Sequence, residues 1–152
     1  MTNQKVTIDV SRIADVQPEV LFDLLDDASG WPEWSVIGSV EFAQPGDEAA
    51  QVVGAQRVFK TGLLKLSERI LVREPNQRID YALLSGLPLD DYVGRIEFKP
   101  FEAGTQLNWS ASFRIPHVGT GWFWKLAIKA ILLNISRAAV RRVEAVQRKT
   151  ED

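Results

Sequence analysis

Residues 121–134 read GWFWKLAIKAILLN, and ten of the fourteen are apolar or aromatic. A membrane span needs about 20 consecutive apolar residues. Here Lys129 and Asn134 interrupt the run from Leu126 to Ile135, so no integral membrane segment is expected. The pattern after Gly121 is helical to about Lys149. At about 100° per residue, Trp124, Ala127, Ile128, Ile131, Ile135, Ala138, Ala139 and Val146 fall on one stripe. A long helix with such a stripe must lie against another apolar surface.

The rest of the chain supplies that surface as strands. Residues 4–13 (QKVTIDVSRI) alternate, with Val6, Ile8 and Val10 on one face. Pro18 then opens PEVLFDLLDDA, a short helix in which Val20, Leu21, Leu24, Leu25 and Ala28 recur at helical spacing. WPEW at 31–34 adds a second small helical turn, with Trp31 and Trp34 as packing residues. Six strand-like runs follow from residue 36. Turn signals separate them at the QPGDEA loop (44–49), Gly62, Pro75-Asn76, Gly86 with Pro88, and Gly104. Short hairpin turns and the lack of crossover helices imply an antiparallel meander. Leu107, Trp109, Ala111 and Phe113 share one face of the last strand, and Tyr92, Gly94, Ile96 and Phe98 one face of its neighbour. The run at 52–61 is ambiguous, because Val52 and Val58 share a phase with Gln56 and Lys60.

Composition narrows the function. The 152 residues suit a single domain spanning 1–152. A net charge of −2 gives no general attraction to nucleic acid. Charge is uneven: residues 1–50 hold ten acids and two bases, and residues 118–152 seven bases and three acids. Arg137, Arg141, Arg142, Arg148 and Lys149 suit the carbonyl end of a helix dipole, or alternatively form a basic docking patch. No cysteine and one histidine, His117, exclude thiol chemistry, disulfides and multi-histidine metal sites. Neither a metal nor a cofactor is expected. MTNQKVTIDV lacks the pattern of a secretory leader, and with the absence of cysteine this suggests a cytoplasmic setting.

The element order, together with PEVLFDLLDD (18–27), WPEW (31–34), ERILVREPNQRIDYALLSG (68–86), LPLDDY (87–92) and GTQLNWSASF (104–113), resembles the SRPBCC (START-like) superfamily in its polyketide cyclase/dehydrase branch. The resemblance covers nearly the whole chain. It implies an α+β helix-grip fold: a seven-stranded, curved antiparallel sheet wrapped around a long C-terminal helix, with two short helices after the first strand. It also implies an elongated cavity between sheet and helix, which residues 121–134 would roof.

Several residues are candidates for that cavity. Glu68 shares its phase with Leu64, Leu66, Ile70 and Val72, so a regular strand points it inward. A buried carboxylate is costly unless paired. Glu68 is therefore a polar contact or general acid, or else a structural partner of an arginine, or is turned outward by a bulge. Tyr81 and Tyr92 carry hydroxyls on apolar phases. With Glu68 they are the catalytic candidates if the chain is an enzyme. Asn134, at the edge of the helical stripe, offers an amide to a guest's oxygen or a buried water, or else is a solvent-edge residue or caps a sheet group. Trp34, Leu83, Trp109, Phe113 and Ile131 are candidate apolar lining. His117 sits in a loop and reads as solvated, and Arg142 pairs with an acid of the first strand or helix or snorkels.

The expected function is binding or carrying a hydrophobic small molecule: a lipid, polyketide, isoprenoid or aromatic metabolite. The alternatives are a polyketide cyclase or dehydratase, and a protein-interaction module with a collapsed cavity. Leu126, Leu133 and Val140 repeat every seven residues and offer a homodimer seam; scattered exposure or a peripheral membrane contact would account for them equally.

Overall fold

A computed structural model describes residues 4–42 and 53–151. Its elements run β1 (Gln4–Ala14), α1 (Pro18–Asp26), a 3-10 turn (Ala28–Gly30), α2 (Trp31–Trp34), β2 (Ser39–Phe42), β3 (Gln56–Thr61), β4 (Leu64–Glu74), β5 (Arg78–Ser85), β6 (Asp90–Phe101), β7 (Gly104–Ile115) and α3 (Gly121–Glu151). Among the described residues the strands form one seven-stranded antiparallel sheet in the order β1-β7-β6-β5-β4-β3-β2. The curved sheet, long C-terminal helix and paired short helices are the helix-grip arrangement the family resemblance implies. The QPGDEA loop and Val52 lie outside the described residues. No described helix is long and apolar enough to cross a membrane.

Alternation sets the inner face. β7 buries Leu107, Trp109, Ala111, Phe113 and Ile115, and β6 buries Tyr92, Gly94, Ile96 and Phe98. β3 resolves its ambiguity by turning Arg57 and Phe59 inward. Two irregularities adjust β4 against β5. One separates the pairs Ser67–Ser85 and Glu68–Leu83, leaving Leu84 unpaired, and Glu68 stays inside. The other lies between Ile70 and Val72 and reverses the phase beyond it, because an extra residue shifts every later side chain to the opposite face. Val72 therefore leaves the phase of Glu68 and Ile70. Arg73 instead reaches α1, where its Nε and Nη2 donate to the two oxygens of Asp26 at 2.9 and 2.8 Å.

The helices also depart in detail from simple periodicity. α1 buries Leu21, Phe22 and Leu25, and Val20 is exposed. Phe22 takes the inward position because it meets Phe98 edge-on at 5.4 Å between ring centroids. α3 buries Ile128, Leu132, Ile135, Ser136, Ala139, Val140 and Val143. The buried stripe is thus rotated from the expected one. Ile131 moves to its edge and Val146 is exposed. Arg12 of β1 holds this orientation, donating from Nε to Ser136 Oγ at 3.1 Å and from Nη2 to the Leu133 carbonyl at 2.9 Å. Of the expected seam residues Leu126, Leu133 and Val140, Val140 lies in the core, and Leu126 and Leu133 face outward.

Candidate functional site

A cavity of about 390 Å³ lies between the inner face of the sheet and α3. Its walls are Phe59, Leu66, Leu83, Leu87, Tyr92 and Trp109 from the sheet side, Ile128, Leu132 and Ile135 from α3, and Trp31 from α2. Val36, Leu64, Ala130, Ile131 and Asn134 line it and are exposed. The mouth therefore opens between α3, the segment after α2 and the β3–β4 hairpin. Within GWFWKLAIKAILLN, Ile128 and Leu132 form the roof and Ala130, Ile131 and Asn134 the rim. Trp122, Phe123 and Leu126 are exposed.

Two polar groups of this lining, Glu68 and Tyr81, meet the buried Arg57. Its Nε and Nη2 donate to Glu68 Oε1 at 3.3 and 3.2 Å, and both residues are buried, at 1% and 8% exposure. The register puts them there: Arg57 and Glu68 are direct cross-strand partners. The guanidinium carbon also lies 5.0 Å from the Phe59 ring centre, 5.2 Å from Trp31 and 5.5 Å from Tyr81. These aromatic faces offset part of the hydration the cation has lost. Glu68 Oε2 accepts no hydrogen bond from the described residues. Burial raises the Glu68 pKa, against the opposing pull of Arg57.

Tyr81 completes the cluster. Trp109 Nε1 donates to its hydroxyl oxygen at 2.9 Å, and the hydroxyl's own proton has no acceptor among the described residues. Gly94, opposite Tyr81 in the β5–β6 register, makes this placement possible, since a Cβ there would collide with the Tyr81 ring. Burial raises the Tyr81 pKa far above the ordinary tyrosine value, with the nearby Glu68 charge adding to the effect. Tyr92 stacks on Phe113 at 5.6 Å and is raised chiefly by burial as well. Both phenols are therefore proton donors, not bases, at neutral pH.

The structure brings Glu68, Tyr81, Leu83, Tyr92, Trp109, Ile131 and Asn134 to one cavity. Trp34 and Phe113 do not line it. Trp34 packs on the outer side of Trp31, 5.7 Å between ring centres, and borders a separate surface cleft. Phe113 lies behind Tyr92 in the core. Their places at the wall are taken by Trp31 and Tyr92. Arg142 meets Glu33 of α2 at 3.6 Å, a partner from the second helix and not from the first strand or helix. His117 is an exposed loop residue whose carbonyl caps Thr120. Arg57 is the residue that sequence reasoning missed. Its signal was the tight turn at Gly62-Leu63: counting back from that turn places Arg57 opposite Glu68.

Comparison with known proteins agrees with this architecture. A norcoclaurine synthase from Thalictrum flavum, solved in complex with dopamine and hydroxybenzaldehyde, superposes with a TM-score of 0.76 at 11% identity, covering 94% of this chain and 88% of that one. Ara h 8.0201 superposes at 0.73 with 16% identity, covering 93% and 99%. A protein from Nitrosospira multiformis reaches 0.77 with 16% identity, covering 94% and 99%. At these identities the likeness concerns the fold alone. No curated protein matches the sequence. The family model for polyketide cyclase/dehydrase and lipid transport, however, matches residues 5–148. The chain belongs to the polyketide cyclase/dehydrase and lipid transport family.

Proposed function

We propose that this protein binds a hydrophobic small molecule in the cavity between the sheet and α3. The observation that carries the reading is the cavity itself: about 390 Å³, walled mostly by aliphatic and aromatic side chains, with Glu68 and Tyr81 among its polar groups. Ligand pockets of this size are mostly apolar, with a few polar groups that fix orientation. Apolar burial would supply affinity at about 25 cal/mol per Å², before the entropy cost of association. The Tyr81 hydroxyl would donate to an oxygen on the enclosed part of a guest that carries one, and Glu68 Oε2 would accept from a guest hydroxyl there. A collapsed cavity serving only protein contact is the reading this open volume argues against.

The test is uptake of the neutral fluorophore N-phenyl-1-naphthylamine. Saturable one-to-one binding is expected, and Ala130→Trp at the mouth should weaken it at least tenfold. Uptake that does not saturate, or that ignores Ala130→Trp, would sink the proposal.

A second reading, a cyclase or dehydratase, is favoured by one observation: Glu68 and Tyr81 both line the cavity and both meet the Arg57 guanidinium. The Tyr81 hydroxyl would donate to a guest carbonyl oxygen and polarise it, and the Glu68 carboxylate would accept the α-proton that enolisation releases. The norcoclaurine synthase of like fold, solved with dopamine and hydroxybenzaldehyde, supports this reading. Mass spectrometry of a linear poly-β-ketone incubated with the protein tests this. Cyclisation lost in Tyr81→Phe supports it, and an unaltered ketone rejects it.

A further inference from the structure

A second recess adjoins the cavity. It is a surface cleft lined by Trp34, Asn134, Arg137, Ala138, Arg141 and Arg142. Asn134 lines both the cleft and the cavity mouth. Residues 134, 137, 138 and 141 are spaced three, four and seven apart, which puts them on one face of α3. The apolar mouth thus continues directly into a row of arginines.

The helix dipole does not account for that row. Its effect is confined to the final turn, and the bases of that turn are Arg148 and Lys149. Nor do carboxylates neutralise it. Arg142 has one exposed partner, Glu33, at 3.6 Å. Among the described residues Arg137 and Arg141 have no ion pair or hydrogen bond from their side chains. The cleft also borders Trp34 Nε1, a buried donor without a partner among the described residues. Such a donor costs about 1–3 kcal/mol when left unsatisfied. Guanidinium groups are planar donor forks that match carboxylate and phosphate oxygens.

We infer that the cavity's natural guest is an anionic amphiphile: an apolar body enclosed between the sheet and α3, and a carboxylate or phosphate end that passes Asn134 and rests on Arg137 and Arg141. This deepens the proposed function and rests on it. Asn134 is then the threshold, its amide facing the polar end of the guest.

The test compares displacement of N-phenyl-1-naphthylamine by dodecanoate, dodecyl phosphate and dodecanol. Below their micellar range, at least one anion should bind roughly tenfold tighter than the alcohol at low salt. The tighter of the two anions names the head. In Arg137→Gln/Arg141→Gln, whose positions are exposed, that ratio should fall to about one, with dodecanol affinity unchanged. Arg148→Gln, outside the cleft, should leave the ratio intact. Equal affinity of acid and alcohol in the native chain overturns the inference. So does a ratio that survives the double substitution, or one that Arg148→Gln erases equally. Failure of the fluorophore and all three probes to bind would overturn the cavity reading and this inference together. Dodecanol binding without any gain for the anions would overturn this inference alone.

Discussion

A guanidinium removed from water loses hydration that a single carboxylate replaces only in part. Arg57 and Glu68 are such a pair, and each makes the other's burial tolerable. Arg57→Met removes the cation and leaves the Glu68 carboxyl buried without its partner. Urea denaturation at neutral pH should show a loss of about 3–5 kcal/mol, whereas Glu68→Gln, uncharged like the protonated acid that burial favours, should lose less. Arg57→Met/Glu68→Leu removes both charges and should be close to wild type or more stable. Additive losses in the double variant would show that the pair is not coupled. The pH dependence has a definite sign. Burial raises Glu68 above its ordinary 4.5, so in the window above that value the folded state holds the proton more firmly than the unfolded state. This contribution to stability is complete below pH 4.5 and is lost as pH rises through the folded pKa. In Arg57→Met the window should widen upward, because the group that pulls the Glu68 pKa down is gone. The inward facing of Glu68 was readable from alternation with Leu66 and Ile70. Its partner was readable too, from the turn at Gly62, but only by pairing two strands and not by inspecting one.

The long helix shows what periodicity captures and what it leaves open. The spacing of apolar residues in 121–149 predicts one amphipathic helix, and α3 is that helix. The centre of its buried stripe is a different matter. α3 carries apolar residues almost all round in its first half, so several rotations bury nearly equal areas. Contacts from other elements choose among them. Arg12 reaches across from β1 to Ser136 and the Leu133 carbonyl, which brings Leu132 and Val140 inward. Leu132→Ala should therefore cost about 2–5 kcal/mol in chemical denaturation. Leu126→Ala, at a position 64% exposed, should change stability by less than about 0.5 kcal/mol. Equal costs at the two positions would mean the helix is rotated from the orientation described. The same limit applies to β4. No residue near Leu71 announces an irregularity, and the reversed phase of Val72 and Arg73 follows from the need to bring Arg73 to Asp26 of α1. Interactions between elements decide such points, and a single-strand pattern does not contain them.

At the scale of the whole molecule, the sheet, α3 and the small helices together create a dry interior that no element creates alone. The chain's two tyrosines report on that enclosure. Both sit on the inner face of the sheet, Tyr81 beneath Trp109 and Tyr92 against Phe113, and burial raises the pKa of each. In the unfolded chain each would ionise near its ordinary value of 10.0. Above that pH the unfolded state releases protons that the folded state retains, so stability falls as pH rises. An absorbance titration at the tyrosinate band should then show no step near pH 10.0 while the fold persists. Tyrosinate should instead form in one cooperative step that coincides with the loss of far-ultraviolet circular dichroism. A guest filling the cavity binds only the folded state and should move that step to higher pH, by mass action. Ionisation of either tyrosine at its ordinary value in the folded protein would mean that water reaches the inner cluster freely. The cavity would then be a solvated cleft, and apolar burial could not supply the affinity that hydrophobic ligand binding requires.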